Sequence, residues 1–388
     1  MKVYINKLLK IYDIQIFYLL FLNVLMIIIL SSFGQTFLFG ANLSFIIPLL
    51  FFLVYISNFR RIPLTISVIY IILILYTLAI TLAGKDFYHW SISVFTLSSI
   101  SLFGLIKSNE KNYLPMMTLS SLFSLVLLIS YNYFGVLSNW NPNSIGMFAT
   151  FGLLGFIFTF KITKSNVLKF FYLILIIFSV YCIYLTDSRN NIMIFLIAFL
   201  TNFFMNFFNN KFIFRVYYLF ALFSAMLIAK LSTWINNLTY LKPLVEFSYE
   251  YTGKGTIFSD RDIFWGYIEI LIGNNGLFGN GVSLYNYIYS HNIFYSIQYF
   301  FGIIGFMLYV LLIIVILEYI YKYSKKDKIS MSVVYIFIAI CFGQISENAL
   351  FTSDLAIFLP YIYLSIGLFR TRELNVSKLF LNKKERRT

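Results

Sequence analysis

Long apolar runs separated by short polar breaks dominate this sequence. Runs long enough to cross a bilayer fall at about 14–33, 38–58, 63–84, 88–106, 114–135, 143–160, 167–186, 191–209, 212–232, 293–320, 330–346 and 352–369. A helix needs about 20 apolar residues to span the hydrocarbon core. Alternation of period two is absent, and backbone amides in lipid must be satisfied within a helix or a closed barrel, so helices are the expected spanning form. The pattern predicts an all-α, polytopic integral membrane protein with about twelve transmembrane helices in a single transmembrane domain, 1–388. Most connections are short. The exception is 232–292, about sixty residues between the ninth and tenth spans, with an amphipathic stretch from Asp262 to Ile272. Long loops in compact domains are usually functional. The first run lacks a small-residue cleavage pattern and reads as a retained span.

Composition sharpens this picture. The chain of 388 residues is 60% hydrophobic and 11% charged, whereas soluble domains carry about 25% charged residues. A formal net charge of +14 raises the question of nucleic acid, but the basic residues sit in clusters between apolar runs, such as Arg60-Arg61 and Lys322 to Lys328. That is the pattern of topogenic loops rather than of a phosphate-tracking face, so no nucleic-acid partner is expected. Counted loop by loop, 23 of the 29 Lys and Arg residues fall on one side. The positive-inside rule makes that side cytoplasmic, with both termini inside. The basic tail 370–388, with Lys383, Lys384, Arg386 and Arg387, reads as a cytoplasmic anchor against anionic lipid. Cys182 and Cys341 both lie in apolar runs, which argues against a disulfide or a metal site.

Six basic residues remain for the non-cytoplasmic side: Lys85, Arg189, Lys230, Lys242, Lys254 and Arg261. Arg189 stands in Thr186-Asp187-Ser188-Arg189, at the mouth of the eighth span. Snorkelling to the interface is one reading; a polar functional cluster with Ser188 is the other. Arg261 follows Asp260 and precedes Asp262 and Trp265. It reads either as a salt bridge on a solvated loop or as a phosphate ligand, since a guanidinium offers a planar fork of donors that stays charged. His291, followed by Asn292, would enter the tenth span from the outside, and histidine can take a proton from a hydroxyl near neutral pH. It is a satisfied hydrogen-bonding residue in one reading and a base in the other. His89 reads as interfacial packing. Asn141-Pro142-Asn143 precedes the sixth span, where Asn143 is suited to cap the helix. Glu347 follows the eleventh span, either as a surface carboxylate or as a partner of His291 or of a substrate hydroxyl.

The order of these pieces resembles the superfamily of O-antigen ligases and polymerases. The resemblance rests on Asn141-Pro142-Asn143, Thr186-Asp187-Ser188-Arg189, Ser259-Asp260-Arg261 with Trp265, Asn275 through Gly281, His291-Asn292, and Gly302-Ile303-Ile304-Gly305. It covers about 141–310, and the first four spans match only in being apolar. Asp260 and Gly276 depart from the Gly and Pro that the family often has there.

The resemblance implies glycosyl transfer from an oligosaccharide on undecaprenyl pyrophosphate at the outer face of the bacterial cytoplasmic membrane, with no cofactor and no metal. An acceptor hydroxyl attacks the anomeric carbon, and the lipid pyrophosphate leaves. Arg189 and Arg261 would stabilise the pyrophosphate, His291 would act as base and Glu347 would orient it. Asn141, Asn143, Ser188, Asp260, Trp265, Asn280 and Asn292 would support the sugars. The implied partners are the lipid-linked oligosaccharides, the lipid bilayer, and a chain-length regulator and flippase of the same pathway. The Phe, Tyr, Ile, Asn and Lys bias favours a repeat-unit polymerase of O-antigen or capsule. The alternative is a ligase that transfers the glycan to lipid A–core.

A flippase or other transporter is the competing class. It calls for ionisable residues near the middle of spans. Here those regions are almost free of charge, and neither an internal repeat nor an inverted symmetry is visible.

Overall fold

A computed structural model describes residues 62–84, 110–135, 142–186, 189–204, 210–236, 238–252, 261–274, 276–281 and 292–324, with scattered helical positions at 49–59, 87–97 and 338–342. Among these residues every regular element is helical. The helices are α1 (Leu64–Gly84), α2 (Glu110–Phe134), α3 (Pro142–Ile162), α4 (Asn166–Leu185), α5 (Arg189–Phe203), α6 (Lys211–Asn236), α7 (Lys242–Thr252), α8 (Arg261–Asn274) and α9 (Ile293–Ser324). The expected runs at about 14–33, 38–58, 88–106, 330–346 and 352–369, and the tail 370–388, lie wholly or mostly outside the described residues.

Three helices are long and apolar enough to cross a membrane: Leu64–Leu82, Asn166–Leu185 and Ile293–Tyr319. A fourth is α6, if Lys211–Ser224 and Met226–Ser232, bent by 43° from each other, form one span.

Helices α1 and α4 expose much of their apolar surface, whereas α9 buries Ile, Phe and Leu along most of its length. On α1 the buried stripe is largely polar or aromatic, with Ser67, Tyr70, Thr77 and Thr81, whereas Leu64 is 75% exposed and Leu75 60%. Tyr70 donates to the Val94 carbonyl at 3.0 Å and the Trp90 indole donates to Thr77 Oγ1 at 3.1 Å. On α4 only Tyr172, Ser179, Cys182 and Ile183 are buried, at one helical spacing, and the remaining face is exposed Val, Leu, Ile, Phe and Tyr. Apolar-out, polar-in is the arrangement that lipid favours, because hydrocarbon gives helices no reason to hide leucine.

Local signals set the helix starts. Pro142 opens α3, where its missing N–H costs nothing, so Asn143 belongs to the first turn. Ser165 caps α4 by accepting from the Leu168 amide at 3.5 Å. Helices α2 and α3 pack through small residues: a Cβ on Gly152 would lie 2.5 Å from Ser124 Cβ. Thr118 and Tyr172 share a hydrogen bond of 2.9 Å, and Asn132 donates to the Cys182 carbonyl at 3.2 Å. These two ties make α2 and α4 parallel.

Three further ties fix which helix ends lie together. Arg215, near the start of α6, forms a two-pronged ion pair with Glu318, near the end of α9, and Tyr218 donates to the same carboxylate at 3.0 Å. Phe214 stacks on Tyr321 beside it, with ring centroids 4.3 Å apart. Helices α6 and α9 are therefore antiparallel. Thr201, at the far end of α5, bonds Tyr217 at 2.6 Å, and Thr150 in α3 donates to the Asn191 carbonyl at the start of α5 at 3.4 Å. The starts of α3, α5 and α9 and the end of α6 thus gather at one end of the bundle. Helix α8 joins them there, with Glu269 3.7 Å from Lys230 of α6.

Replacing Gly152 by Val should lower the thermal midpoint of the detergent-solubilised protein, because overpacking at such a contact costs about 1–3 kcal/mol. Val126→Leu, on the exposed side of α2, is the control, and equal melting of the two variants would contradict this account of the α2–α3 seam.

Candidate functional site

The gathered end holds a feature that the apolar run at 293–320 conceals. Helix α9 is not continuous: Gly302 has φ 64 and ψ −171, a conformation open essentially to glycine alone. Continuing the helix would pair the Ile303 and Ile304 amides with the Tyr299 and Phe300 carbonyls. Instead the segment 276–281 takes all four groups. The amides of Asn280 and Gly281 donate to the Tyr299 and Phe300 carbonyls, each at 2.9 Å. The Ile303 amide donates to the Gly276 carbonyl at 2.9 Å and the Ile304 amide to the Leu277 carbonyl at 3.5 Å.

This backbone seam explains the glycines. A Cβ on Gly279, itself at φ 80, would lie 2.6 Å from the Phe300 carbonyl, and one on Gly302 would lie 2.5 Å from the Leu277 carbonyl carbon. Both chains approach too closely for any side chain. Asn280 adds its side-chain amide, which donates to the Tyr299 carbonyl at 3.2 Å. On the other side Tyr76 of α1 donates its hydroxyl to the Phe301 carbonyl at 2.9 Å, and that hydroxyl also lies 3.4 Å from the Phe278 carbonyl.

Asn292 is fully buried and caps the first half of α9, its Oδ1 accepting from the Phe294 amide at 3.0 Å and the Tyr295 amide at 3.3 Å. Arg261 opens α8 rather than riding a loop, and it is half-buried. It shares its helix face with Trp265 and Ile268, both buried, at i, i+4 and i+7. Asp262 is buried in the same first turn, where a carboxylate also complements the helix dipole. The opposite face carries exposed Ile263, Tyr267 and Ile270.

The chain matches no protein-family model and no curated protein.

Of the residues expected to form a site, Arg261, Trp265, Asn280 and Asn292 are placed with their side chains. Asn280 and Asn292 hold backbone groups of α9, a structural duty beside any contact with sugar. For Arg189 and Asn143 the backbone is placed, each in the first turn of its helix at the gathered end. His291, Glu347, Asn141, Ser188 and Asp260 lie outside the described residues. Among the described residues no three His, Cys, Asp or Glu side chains converge as a metal site would need. Tyr76 was not foreseen: a tyrosine in an apolar run carries no local mark of its partner.

Gly302→Ala and Gly279→Ala should each destabilise the protein by about 2 kcal/mol or more, from strain at positive φ plus the clash. Gly266→Ala, whose Cβ meets nothing within 4 Å, should be neutral or slightly stabilising. Asn292→Ala should cost about 1 kcal/mol, with Asp at the same position retaining most of the cap. Thermal melts of the five variants check the series, and Gly302→Ala melting like Gly266→Ala would contradict the seam.

Proposed function

We propose that this protein polymerises undecaprenyl-pyrophosphate-linked oligosaccharide repeat units into surface polysaccharide, O-antigen or capsule, at the outer face of the cytoplasmic membrane. The reading takes the chain as about twelve spans with both termini cytoplasmic and 232–292 outside. The observation that carries it is the half-buried Arg261 on the inward face of α8, at the end of the bundle where α5 starts with Arg189 and α9 starts beside His291. A cation on the buried stripe of a helix whose other face is apolar suits a bound anion.

The reaction needs little more than position and charge. The acceptor sugar hydroxyl attacks the anomeric carbon of the donor, and the bond from that carbon to the pyrophosphate oxygen breaks. Arg189 and Arg261 take up the charge that develops on the departing lipid pyrophosphate. His291 accepts the hydroxyl proton, with Glu347 orienting its ring. The leaving group is already a good one, so holding two large lipid-linked substrates in line is the main contribution. In this reading Asn141, Asn143, Ser188 and Asp260 support the sugars, while Trp265, 1% exposed, serves from within the core behind Arg261. No cofactor enters the scheme.

Reconstitution with purified lipid-linked repeat units tests it. The wild type should build a ladder of chains on the lipid carrier, with no nucleotide added and with EDTA present. Arg189→Ala, Arg261→Ala and His291→Ala should each lower chain extension by at least about a hundredfold while remaining inserted. Full-length chains from all three variants would refute the site. Translocation without linkage would make the protein a flippase, and transfer only to a lipid A–core acceptor would make it a ligase.

A further inference from the structure

We propose that Tyr76 is a positioning residue for this transfer, holding the arm that bears Arg261 and the arm that begins at Asn292 in register through one phenolic hydroxyl. The inference rests on the polymerase reading and deepens it. Tyr76 belongs to α1, which carries none of the proposed reacting groups. Its hydroxyl donates to the Phe301 carbonyl at 2.9 Å and lies 3.4 Å from the Phe278 carbonyl. A hydroxyl has one proton to give, so Phe301 receives the main bond and Phe278 the weaker share. Phe301 is the last residue of the half-helix that Asn292 caps, and Phe278 lies in the strap that follows α8, which Arg261 opens. The ring also sits over the second half of α9, since a Cβ on Gly305 would come 3.3 Å from Tyr76 Cε1. One side chain therefore touches the strap and both halves of the broken helix.

The arrangement has a competitor, which gives the hydroxyl its leverage. If the strap withdrew, the Ile303 and Ile304 amides would bond the Tyr299 and Phe300 carbonyls and α9 would run straight. Straightening would trade the four seam hydrogen bonds for these two within the helix, and groups that bond the strapped state alone add to its preference. Tyr76 bonds the carbonyls of the broken, strapped state. Without its hydroxyl the strap loosens, and α8 loses its fixed distance from the start of α9. Side-chain geometry at the reacting groups then suffers with no contact to substrate removed.

Tyr76→Phe keeps the ring and deletes the hydroxyl. In the full-length protein, hydrogen exchange at the Asn280 and Gly281 amides should speed up about tenfold, the size of one lost hydrogen bond. In reconstituted chain extension, the maximal rate should fall about tenfold, with the half-saturating concentration of lipid-linked repeat unit unchanged within about twofold. Tyr76→Met, which removes the hydroxyl with an unbranched side chain, is the second variant and should give the same split if Tyr76→Phe is not recovered. Unchanged exchange, unchanged rate, or a loss confined to half-saturation overturns the positioning role. Tyr76→Phe extending chains at the wild-type rate while Arg261→Ala is inactive overturns it and leaves the polymerase reading standing. A wild type that extends no chains overturns both.

Discussion

Backbone hydrogen bonds that cannot be traded for water constrain everything at the gathered end of this bundle. In hydrocarbon an unpaired amide or carbonyl costs several kcal/mol. Opening α9 at Gly302 frees the Tyr299, Phe300 and Phe301 carbonyls and the Ile303 and Ile304 amides from the helical ladder; the Tyr76 hydroxyl meets Phe301. The segment 276–281 returns a partner to each of the others. The break and the strap are thus one structure, since each satisfies the backbone groups that the other leaves open. Position follows from the same constraint: the strap must reach Gly302, about 13 Å along the helix from Ile293. Helix α8, joined to the strap, is carried with it.

The rest of the bundle is held by different means at its two ends. Where α6 begins and α9 ends, side chains do the holding: the Arg215–Glu318 pair, the Tyr218 hydroxyl and the Phe214–Tyr321 stack. A bidentate guanidinium–carboxylate pair fixes angle as well as distance. Where α9 begins, main chain meets main chain, with Asn280, Asn292 and Tyr76 as the few side chains tied into it. The first kind of contact resists sliding of whole helices. The second is a local arrangement with a ready alternative, and alternatives of that sort are what moving parts of proteins are made from.

Hydropathy made much of the fold legible. The runs at about 63–84, 167–186 and 293–320 coincide with α1, α4 and α9, and the amphipathic stretch from Asp262 to Ile272 is α8. Apolarity reports the solvent and the length of a span, and both are properties of the chain segment alone. It does not report whether a span is whole. Gly302 sits among Phe, Ile and Gly residues that any continuous helix tolerates, and its break depends on a strap that departs from Asn274, outside the run. The capping role of Asn292 and the hydroxyl of Tyr76 were hidden for the same reason, because each is defined by a partner that only the fold supplies. At the candidate site Arg261 stands out in the sequence by its residue type, a cation in an otherwise acidic and aromatic neighbourhood. That Arg261 opens a helix and lies on its buried stripe was not legible there.

A seam built mostly from main chain leaves most side chains along it unconstrained. Gly279 and Gly302 must stay glycine, and Asn292 must supply an oxygen to the half-helix. Leu277 and Phe278 contribute their carbonyls and leave their side chains largely exposed. Positions of that kind can change size and polarity without disturbing the hydrogen bonds that hold the strap. Exposed side chains along the strap can therefore be retuned while the distance from α8 to the start of α9 is kept by amides and carbonyls. The geometry that reacting groups require then rests on the part of the chain that sequence change touches least.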